Sequence, residues 1–167
     1  RSLDAYRYVS QICMGELRQN RNNRNFGLSM FRYLSIINGK TAALFEASCF
    51  AGALAREKEE KRLRLYRRFG RYLGVIFQLT DDCIDYESDY HSAGKSVQSD
   101  YEQGVITLPV IYTFHKKPQL RQRARQGKLA TAELLQAVAD SGGVVSYTVV
   151  FPEASGRYFR LWFEETA

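Results

Sequence analysis

Apolar residues in the first third of the chain recur at helical spacing. Over residues 3–20 they stand three or four positions apart, which is the pattern of an amphipathic α-helix. A polar stretch rich in Asn and Arg follows at 20–25, and a second helix is predicted over 28–55. Asn38 and Gly39 lie inside that second helix and predict a bend or interruption, because glycine weakens the helical hydrogen-bond ladder.

The middle of the chain predicts one long helix and then a polar loop. Residues 57–86 are charged in their first half and apolar on most faces over 72–79, so the second half is expected to enter the core. Residues 87–104 are polar and predict a loop. An apolar helix is predicted over 104–115, with Pro109 near its start, where proline is tolerated.

Short helices are predicted for the remainder of the chain. Pro118 opens a short basic helix, and Thr131 is the expected N-cap of a helix that ends at Asp140. Residues 144–165 predict a last helix, although the Val, Tyr and Thr at its start would also suit a strand. With no repeat and no strand pattern elsewhere, we expect residues 1–167 to form a single all-α domain, packed as a helical bundle.

Composition is that of a globular domain with a basic excess. The 167 residues are 45% hydrophobic and 25% charged, with a net charge of +6. One basic stretch, 62–71, follows Glu57, Glu59 and Glu60 and is interpreted as a solvated helix face. The other, 116–128, contains no acid and is either solvated or a contact with an anionic membrane surface. Neither carries a nucleic-acid-binding motif, so no nucleic-acid partner is expected.

Cysteine usage and hydropathy favour a cytoplasmic location. Cys13, Cys49 and Cys83 are widely spaced and are expected to be small core residues in a reducing compartment. No signal peptide opens the chain, and no apolar run approaches the ~20 residues of a membrane span. The chain begins at Arg1 inside a helical pattern, so we expect residues to be missing upstream.

Three aspartates near the end of the long helix are the candidate metal site. Asp81 and Asp85 are four residues apart and share a helix face, with Asp82 beside them and Gln78 one turn earlier. Carboxylates at the negative end of a helix dipole are unfavourable unless a cation compensates them. Mg²⁺, which prefers oxygen ligands, is the natural occupant. A solvated acidic helix end is the alternative, and spacing alone does not decide between the two.

Two lysines in other segments are candidates for phosphate contacts. Lys40 precedes Thr41 on an otherwise apolar helix, so a polar cavity is expected around this pair. A lysine ammonium and a threonine hydroxyl can both donate to phosphate oxygens. Lys95 follows Gly94 in the polar loop.

Four segments of the chain carry a family resemblance. In chain order they are GELRQ, GKTAALFEASC, FQLTDDCID and GKSVQSDYEQGVITLP. In order and separation they resemble the motifs of the trans-type polyprenyl diphosphate synthases, over roughly residues 12–112. Within that family the chain resembles the catalytic, larger component of the two-component bacterial heptaprenyl and hexaprenyl diphosphate synthases. The family's first aspartate-rich motif is not in this sequence, so the chain resembles the C-terminal half of the isoprenoid-synthase helical bundle, without the N-terminal half.

The resemblance implies a Mg²⁺-dependent prenyltransferase. Such an enzyme condenses isopentenyl diphosphate with an allylic diphosphate, here expected to give a long-chain polyprenyl diphosphate for isoprenoid and quinone side chains such as that of menaquinone. The implied catalytic residues are Lys40, Asp81, Asp82 and Lys95. The implied magnesium ligands are Asp81, Asp82 and Asp85. The implied substrate-binding residues are Lys40, Thr41, Phe77, Gln78 and Lys95, although Phe77 is equally suited to core packing.

The resemblance also implies an oligomer and leaves other interpretations open. A homodimer, or a heterodimer with a small regulatory subunit, is expected. The chain could itself be a non-catalytic or regulatory subunit, but such subunits tend to lose the aspartates that are kept here. A terpene cyclase has similar metal chemistry, but usually a different second metal motif. The small-residue run from Ala42 to Ala53 would suit a product tunnel or close helix packing equally well.

Overall fold

The computed structural model describes residues 5–86 and 99–141, and this part of the chain is helical without any β-strand. The all-α prediction is therefore confirmed for the described residues. The elements are α1 Ala5–Arg21, α2 Met30–Ile37, a π-helical turn Asn38–Ala42, α3 Ala43–Leu54, α4 Glu60–Ile84, α5 Ser99–Gln103, α6 Leu108–Lys116, α7 Pro118–Arg125 and α8 Thr131–Asp140.

Hydropathy gives no sign of a membrane span here. None of the helices within residues 5–86 and 99–141 has both the length and the apolar character that crossing a bilayer would require.

The predicted interruption of the second helix is confirmed and takes a specific form. Ser29 caps α2, its side chain accepting a hydrogen bond from the backbone N–H of Arg32 at 3.3 Å. The helix then widens into the π-helical turn, where the Asn38 side-chain amide donates to the carbonyl of Leu34 at 2.9 Å. The backbone is helical on both sides of the turn, and α3 follows it directly.

Several smaller predictions differ from the structure. Thr131 is the first residue of α8 and Ala130 is its N-cap, which has no side-chain bond, so the predicted cap is wrong. The predicted loop 87–104 contains the short helix α5 in its described part. Cys83 is buried, but Cys13 is exposed and is not a core residue. The predicted helix 144–165 lies outside the described residues.

The main hydrophobic core joins α2 and the second half of α4 to the C-terminal helices. Phe114 and Val110 of α6 and Leu134 and Val138 of α8 are almost completely buried in it. A smaller separate cluster, formed by Tyr8, Phe50 and Leu63, holds α1, α3 and the start of α4 together. The long helix α4 therefore runs through both cores, which fixes its C-terminal aspartates relative to α2.

Glycines allow the backbones of neighbouring helices to touch. A methyl group on Gly70 would lie 2.5 Å from the carbonyl oxygen of Phe45, and one on Gly74 would lie 2.7 Å from the Cα of Ala42. Ala42 and Ala43 are completely buried at this contact. Ala42 and Ala43, the first residues of the small-residue run, therefore allow α3 to pack closely against α4.

The first basic stretch is only partly a solvated helix face. Arg62 and Arg64 are exposed and pair with nearby glutamates of the same segment, as predicted. The Arg71 side chain is 45% exposed, but it pairs with Glu46 of α3, with an Nη2 to Oε2 distance of 2.6 Å. Arg67 is partly buried and stacks on the ring of Phe50. The solvated interpretation is therefore wrong for Arg67, whereas Arg71 is exposed and has its partner on another helix.

The close contact at Gly70 gives a stability prediction. Alanine favours a helix interior over glycine by about 0.5–1 kcal/mol. In Gly70→Ala, however, the added methyl group meets the Phe45 carbonyl and must push α3 and α4 apart. We expect a net decrease of about 1–3 kcal/mol in the free energy of unfolding, measured by urea denaturation.

A matched control is available in α3. A methyl group on Gly52 would meet no atom within 4 Å, so Gly52→Ala should raise the free energy of unfolding by up to about 1 kcal/mol. Equal stabilities of the two variants would contradict the close packing of α3 and α4.

Candidate active site

A cavity of about 250 Å³ opens between α1, α2, the π-helical turn, α4 and the segment after Ser99. Its floor is apolar, with Leu28, Ile36 and Ile37 contributed by the region of α2. Its polar lining comes from Gln19, Asn22, Lys40, Thr41, Gln78, Asp81, Asp82, Asp100 and Thr107. A few converging polar groups above an apolar floor are typical of a small-molecule site.

Asp82 is a buried carboxylate held by two side chains. It is 3% exposed, and it accepts hydrogen bonds from the hydroxyl of Tyr33 and from the amide of Gln78, the latter at 2.7 Å. Burial raises the pKa of Asp82 to about 7, against the two hydrogen bonds, which lower it. The nearby charges of Asp100 and Asp81 raise it further. The carboxylate is thus fixed in position, and no positive charge of residues 5–86 or 99–141 is among the causes that shift its pKa.

Asp100 brings a further carboxylate to the same cavity from a different part of the chain. Its burial raises the pKa of Asp100 to about 6, and the charges of Asp85 and Asp81 add to this rise. The positive charge of Lys40 acts in the opposite direction. These interactions place Asp100 and the ammonium of Lys40 within electrostatic reach of each other across the cavity.

Asp85 has a different position from its two neighbours. It caps the end of α4 and accepts a hydrogen bond from the backbone N–H of Asp100 at 3.3 Å. It does not line the cavity, whereas Asp81, which is exposed, and Asp82 do. Asp85 therefore helps to hold Asp100 against the helix end, and its role as a direct ligand stays a prediction.

The donor set of the cavity suits Mg²⁺. Among residues 5–86 and 99–141, no three Asp, Glu, His or Cys side chains converge closely enough to hold an ion by themselves. Mg²⁺, however, is commonly held by one or two carboxylates and completed by water and substrate phosphate oxygens. Asp81 and Asp82 provide such a pair, with Asp100 beside them, and every one of these donors is an oxygen.

Lys40 is held in place by α1. Its ammonium lies 2.8 Å from a carboxylate oxygen of Glu16 and 3.1 Å from the side-chain oxygen of Gln19. This contact depends on Gly15, because a methyl group there would lie 2.6 Å from the backbone nitrogen of Lys40. The predicted GELRQ segment thus positions the predicted lysine at the wall of the cavity.

A chain of hydrogen bonds joins the two predicted motifs. The hydroxyl of Thr41 donates to the side-chain oxygen of Gln78 at 2.6 Å, and the Gln78 amide donates to Asp82. The π-helical turn and the end of α4 are therefore connected through side chains as well as through the core. This connection orients Gln78 and Asp82 before any substrate binds.

A tight turn brings the last wall of the cavity into place. Gly104 has a φ of +86°, a conformation that favours glycine, and its carbonyl accepts a hydrogen bond from the backbone N–H of Arg24 at 2.7 Å. The residues that follow, Val105 to Thr107, line the cavity. The loop after α1 thus fixes the segment that faces α4.

One predicted substrate residue, Phe77, does not line the cavity. Phe77 is 52% exposed, lies outside the cavity lining and packs on the ring of Phe45 with centroids 5.3 Å apart, so it is not a core residue either. Lys95 lies outside the described residues. The sequence analysis missed Tyr33, for which the only signal was a tyrosine on an apolar helix face, where its hydroxyl needs a partner.

The amino-acid sequence matches known proteins over most of its length. The sequence model of the family described as Polyprenyl synthetase matches residues 5–140. The chain is 38% identical over 136 residues to heptaprenyl diphosphate synthase component 2 of Bacillus subtilis, covering 79% of this chain and 38% of that protein. It is 41% identical over 110 residues to octaprenyl diphosphate synthase of Escherichia coli, covering 64% of this chain and 33% of that protein. The chain thus spans well under half the length of these relatives.

Solved structures of similar sequence share the fold. Heptaprenyl diphosphate synthase from Staphylococcus aureus aligns with a TM-score of 0.75 at 30% identity, over 84% of this chain and 46% of that one. A polyprenyl synthase from Caulobacter crescentus, complexed with calcium and isoprenyl diphosphate, aligns with a TM-score of 0.74 at 29% identity, over 84% of this chain and 45% of that one. Because the family model covers nearly all described residues and the helices superimpose on solved members, this chain belongs to the polyprenyl synthetase family.

Proposed function

We propose that this protein is a Mg²⁺-dependent trans-prenyltransferase. It condenses isopentenyl diphosphate with an allylic diphosphate and makes a long-chain polyprenyl diphosphate, as used for quinone side chains such as that of menaquinone. The observation that carries the proposal is the cavity in which Asp81 and Asp82 of α4 share one lining with Lys40 and Thr41. Carboxylates for a metal and donors for a phosphate are both required to bind a metal diphosphate.

The relatives support the substrate class and an oligomeric state. Proteins named heptaprenyl and octaprenyl diphosphate synthase are among those that match the chain. The neighbour complexed with calcium and isoprenyl diphosphate supports a divalent cation and a prenyl diphosphate as ligands of this fold. The Bacillus relative is named as a component 2, which supports assembly with a second subunit; a homodimer is the alternative arrangement.

The chemistry requires stabilisation of a leaving diphosphate. When the allylic C–O bond breaks, its electron pair leaves with the diphosphate and an allylic cation remains. The double bond of isopentenyl diphosphate then forms the new C–C bond, and a proton is lost. Mg²⁺ held by Asp81 and Asp82 would supply Lewis-acid neutralisation of the leaving group. Lys40 adds a fixed positive charge, and Thr41 adds a hydroxyl donor on the same turn.

The residues around these groups keep them aligned in the absence of substrate. Glu16 and Gln19 hold the Lys40 ammonium, so its charge is fixed at the wall of the cavity. Tyr33 and Gln78 hold Asp82. Groups that are already oriented need little reorganisation during the reaction, and this makes their electrostatic contribution larger.

Removal of one carboxylate tests the proposed activity. In Asp81→Ala we expect turnover of farnesyl diphosphate with isopentenyl diphosphate in Mg²⁺ to fall by about a hundredfold or more, because the leaving group loses its metal. Incorporation of radiolabelled isopentenyl diphosphate measures this, using full-length protein with its partner subunit if one is required. The unfolding midpoint should not fall, since Asp81 is exposed.

The control is Asp140→Ala at the end of α8. Asp140 is also exposed, pairs weakly with Lys117 at 3.7 Å and does not line the cavity. The Asp140→Ala protein should retain normal turnover. Normal turnover in Asp81→Ala as well would refute the proposed metal site.

The buried bond from Tyr33 to Asp82 gives a second prediction. Tyr33→Phe leaves a buried carboxylate with one donor fewer, so the free energy of unfolding should decrease by about 1–3 kcal/mol. Tyr6→Phe is the matched control, because Tyr6 is 81% exposed, and it should change stability by less than about 0.5 kcal/mol. Both are measured by urea denaturation.

A double-mutant cycle separates this bond from general packing. If the Tyr33 hydroxyl acts through the Asp82 carboxylate, Tyr33→Phe should cost measurably less in an Asp82→Ala background than in the wild-type protein. Equal costs in the two backgrounds would show that the tyrosine hydroxyl stabilises the fold by another route.

A further inference from the structure

Thr107 combines deep burial with a position in the lining of the candidate active site. Its side chain belongs to a residue that is 2% exposed, and it lines the same cavity as Asp81, Asp82 and Lys40. The oxygen Oγ1 of Thr107 is shielded from solvent and has no hydrogen-bond partner among residues 5–86 and 99–141. A buried hydroxyl without a partner is uncommon in native proteins, because its desolvation destabilises the fold. Stability alone therefore does not explain this hydroxyl.

The helix that follows Thr107 does not use the hydroxyl either. Thr107 is the N-cap of α6 and has the extended backbone of such a position. A threonine N-cap commonly accepts a hydrogen bond from the backbone N–H of the second or third helical residue. Pro109 is the second residue of α6 and has no N–H, and the Thr107 side chain forms no cap bond. The hydroxyl thus has no role in the local helix structure.

The hydroxyl of Tyr86 approaches Thr107 from the end of α4. Tyr86 follows Asp85, the C-cap of α4, and is 8% exposed in the main core. Burial raises the pKa of Tyr86, and the Thr107 side chain acts in the opposite direction, so the two hydroxyls lie near each other. The charges of Asp85, Asp100 and Asp82 also raise this pKa. Within the described part of the chain, the Tyr86 hydroxyl has no hydrogen-bond partner either. Two unpaired hydroxyls therefore lie beside the carboxylates of the site.

Another buried threonine of α6 shows that burial by itself does not leave such a hydroxyl unpaired. Thr113 is completely buried, and its hydroxyl donates to the carbonyl of Pro109 at 2.9 Å. The same oxygen lies 3.1 Å from the hydroxyl of Ser141. Thr113 does not line the cavity, whereas Thr107 does. The unpaired hydroxyl is therefore found at the threonine that borders the candidate active site.

We propose that Thr107 is a substrate-binding residue whose hydroxyl bonds an oxygen atom of the metal diphosphate in the cavity, with Tyr86 as a positioning residue behind it. The oxygen belongs either to the diphosphate or to a water molecule on the cation, because Mg²⁺ usually keeps several waters. A hydroxyl can donate to the first and accept from the second. Rotation about the Cα–Cβ bond of Thr107 exchanges the positions of its hydroxyl and methyl groups, so the hydroxyl can turn toward a ligand. Thr107 has this role only if the cavity binds a metal diphosphate, so the proposal rests on the proposed function.

The test compares the stability of the free protein with its affinity for ligand in Thr107→Val, a variant of similar shape that lacks the hydroxyl. Because the hydroxyl is unpaired in the free protein, the midpoint of urea denaturation should stay the same or rise. The affinity of the full-length protein for diphosphate in the presence of Mg²⁺, measured by isothermal titration calorimetry, should fall about fivefold or more. A threonine with a purely structural role would lower the midpoint and leave the affinity unchanged.

Thr113→Val is the matched control. The Thr113 hydroxyl already has a partner and lies outside the cavity lining, so its removal should lower the urea midpoint and leave diphosphate affinity unchanged. Thr107→Ser keeps a hydroxyl at the site and should retain most of the wild-type affinity.

Titration with Mg²⁺ alone identifies which oxygen Thr107 contacts. If Thr107→Val binds Mg²⁺ alone more weakly than the wild type does, the hydroxyl contacts a water molecule on the cation. If the loss of affinity is confined to diphosphate, the hydroxyl contacts a phosphate oxygen. Either pattern supports the proposal, since both oxygens belong to the metal diphosphate.

Two results would overturn the assignment of Thr107 while leaving the proposed function intact. One is wild-type affinity for diphosphate in Thr107→Val. The other is a lower urea midpoint in both Thr107→Val and Tyr86→Phe, which would show that the two hydroxyls already have partners in the free protein. Tyr86→Phe keeps the test decisive if Thr107→Val does not fold, and it should bind diphosphate about twofold or more weakly. Absence of Mg²⁺-dependent diphosphate binding by the wild-type protein would instead refute the proposed function, and the role of Thr107 with it.

Discussion

Direct contact between helix backbones is the constraint on which the candidate active site depends. At Gly15 the backbone of α1 touches the π-helical turn, and at Gly70 and Gly74 the backbone of α4 touches α3 and Ala42, the residue before it. Side chains at these crossings would separate the helices, so the distances between the groups of the site depend on the absence of Cβ atoms. Ions and phosphates need donors from different helices within about 3 Å of one another, and such precision is available only from rigid, closely packed elements.

The candidate active site is electrostatically unfavourable as it stands. Asp82 is buried and Asp100 is partly buried near other carboxylates, and both have raised pKa values. The hydrophobic core around α6 and α8 and the hydrogen bonds from Tyr33 and Gln78 hold this arrangement against repulsion. Polar groups kept in unfavourable positions by a stable scaffold are typical of functional sites, because a bound cation or substrate then relieves the repulsion.

The helix α4 carries both clusters of charge in one continuous element. Its first half carries Arg67 and Arg71, which contact α3, and its last turn presents Asp81 and Asp82 to the candidate active site. Between these positions, Val75 and Leu79 are buried in the main core with residues of α2, and α4 packs along α3. One helix thus carries guanidinium groups in its first half and carboxylates at its end.

The sequence by itself determined the all-α class, most helix positions and the membership of the family. Helical periodicity is a local property, and four motifs in the right order, among them the lysine-threonine pair and the aspartates from Asp81, are legible without a structure. Only the tertiary structure decided how these residues are used. The partner of Asp82 is Tyr33, 49 residues away, and the partner of Arg71 is Glu46, 25 residues away. Such contacts depend on which helix faces meet, and that is decided by packing over the whole chain. For this reason Asp85 accepts a hydrogen bond from the backbone of Asp100, and Arg67 and Arg71 contact Phe50 and Glu46 of α3.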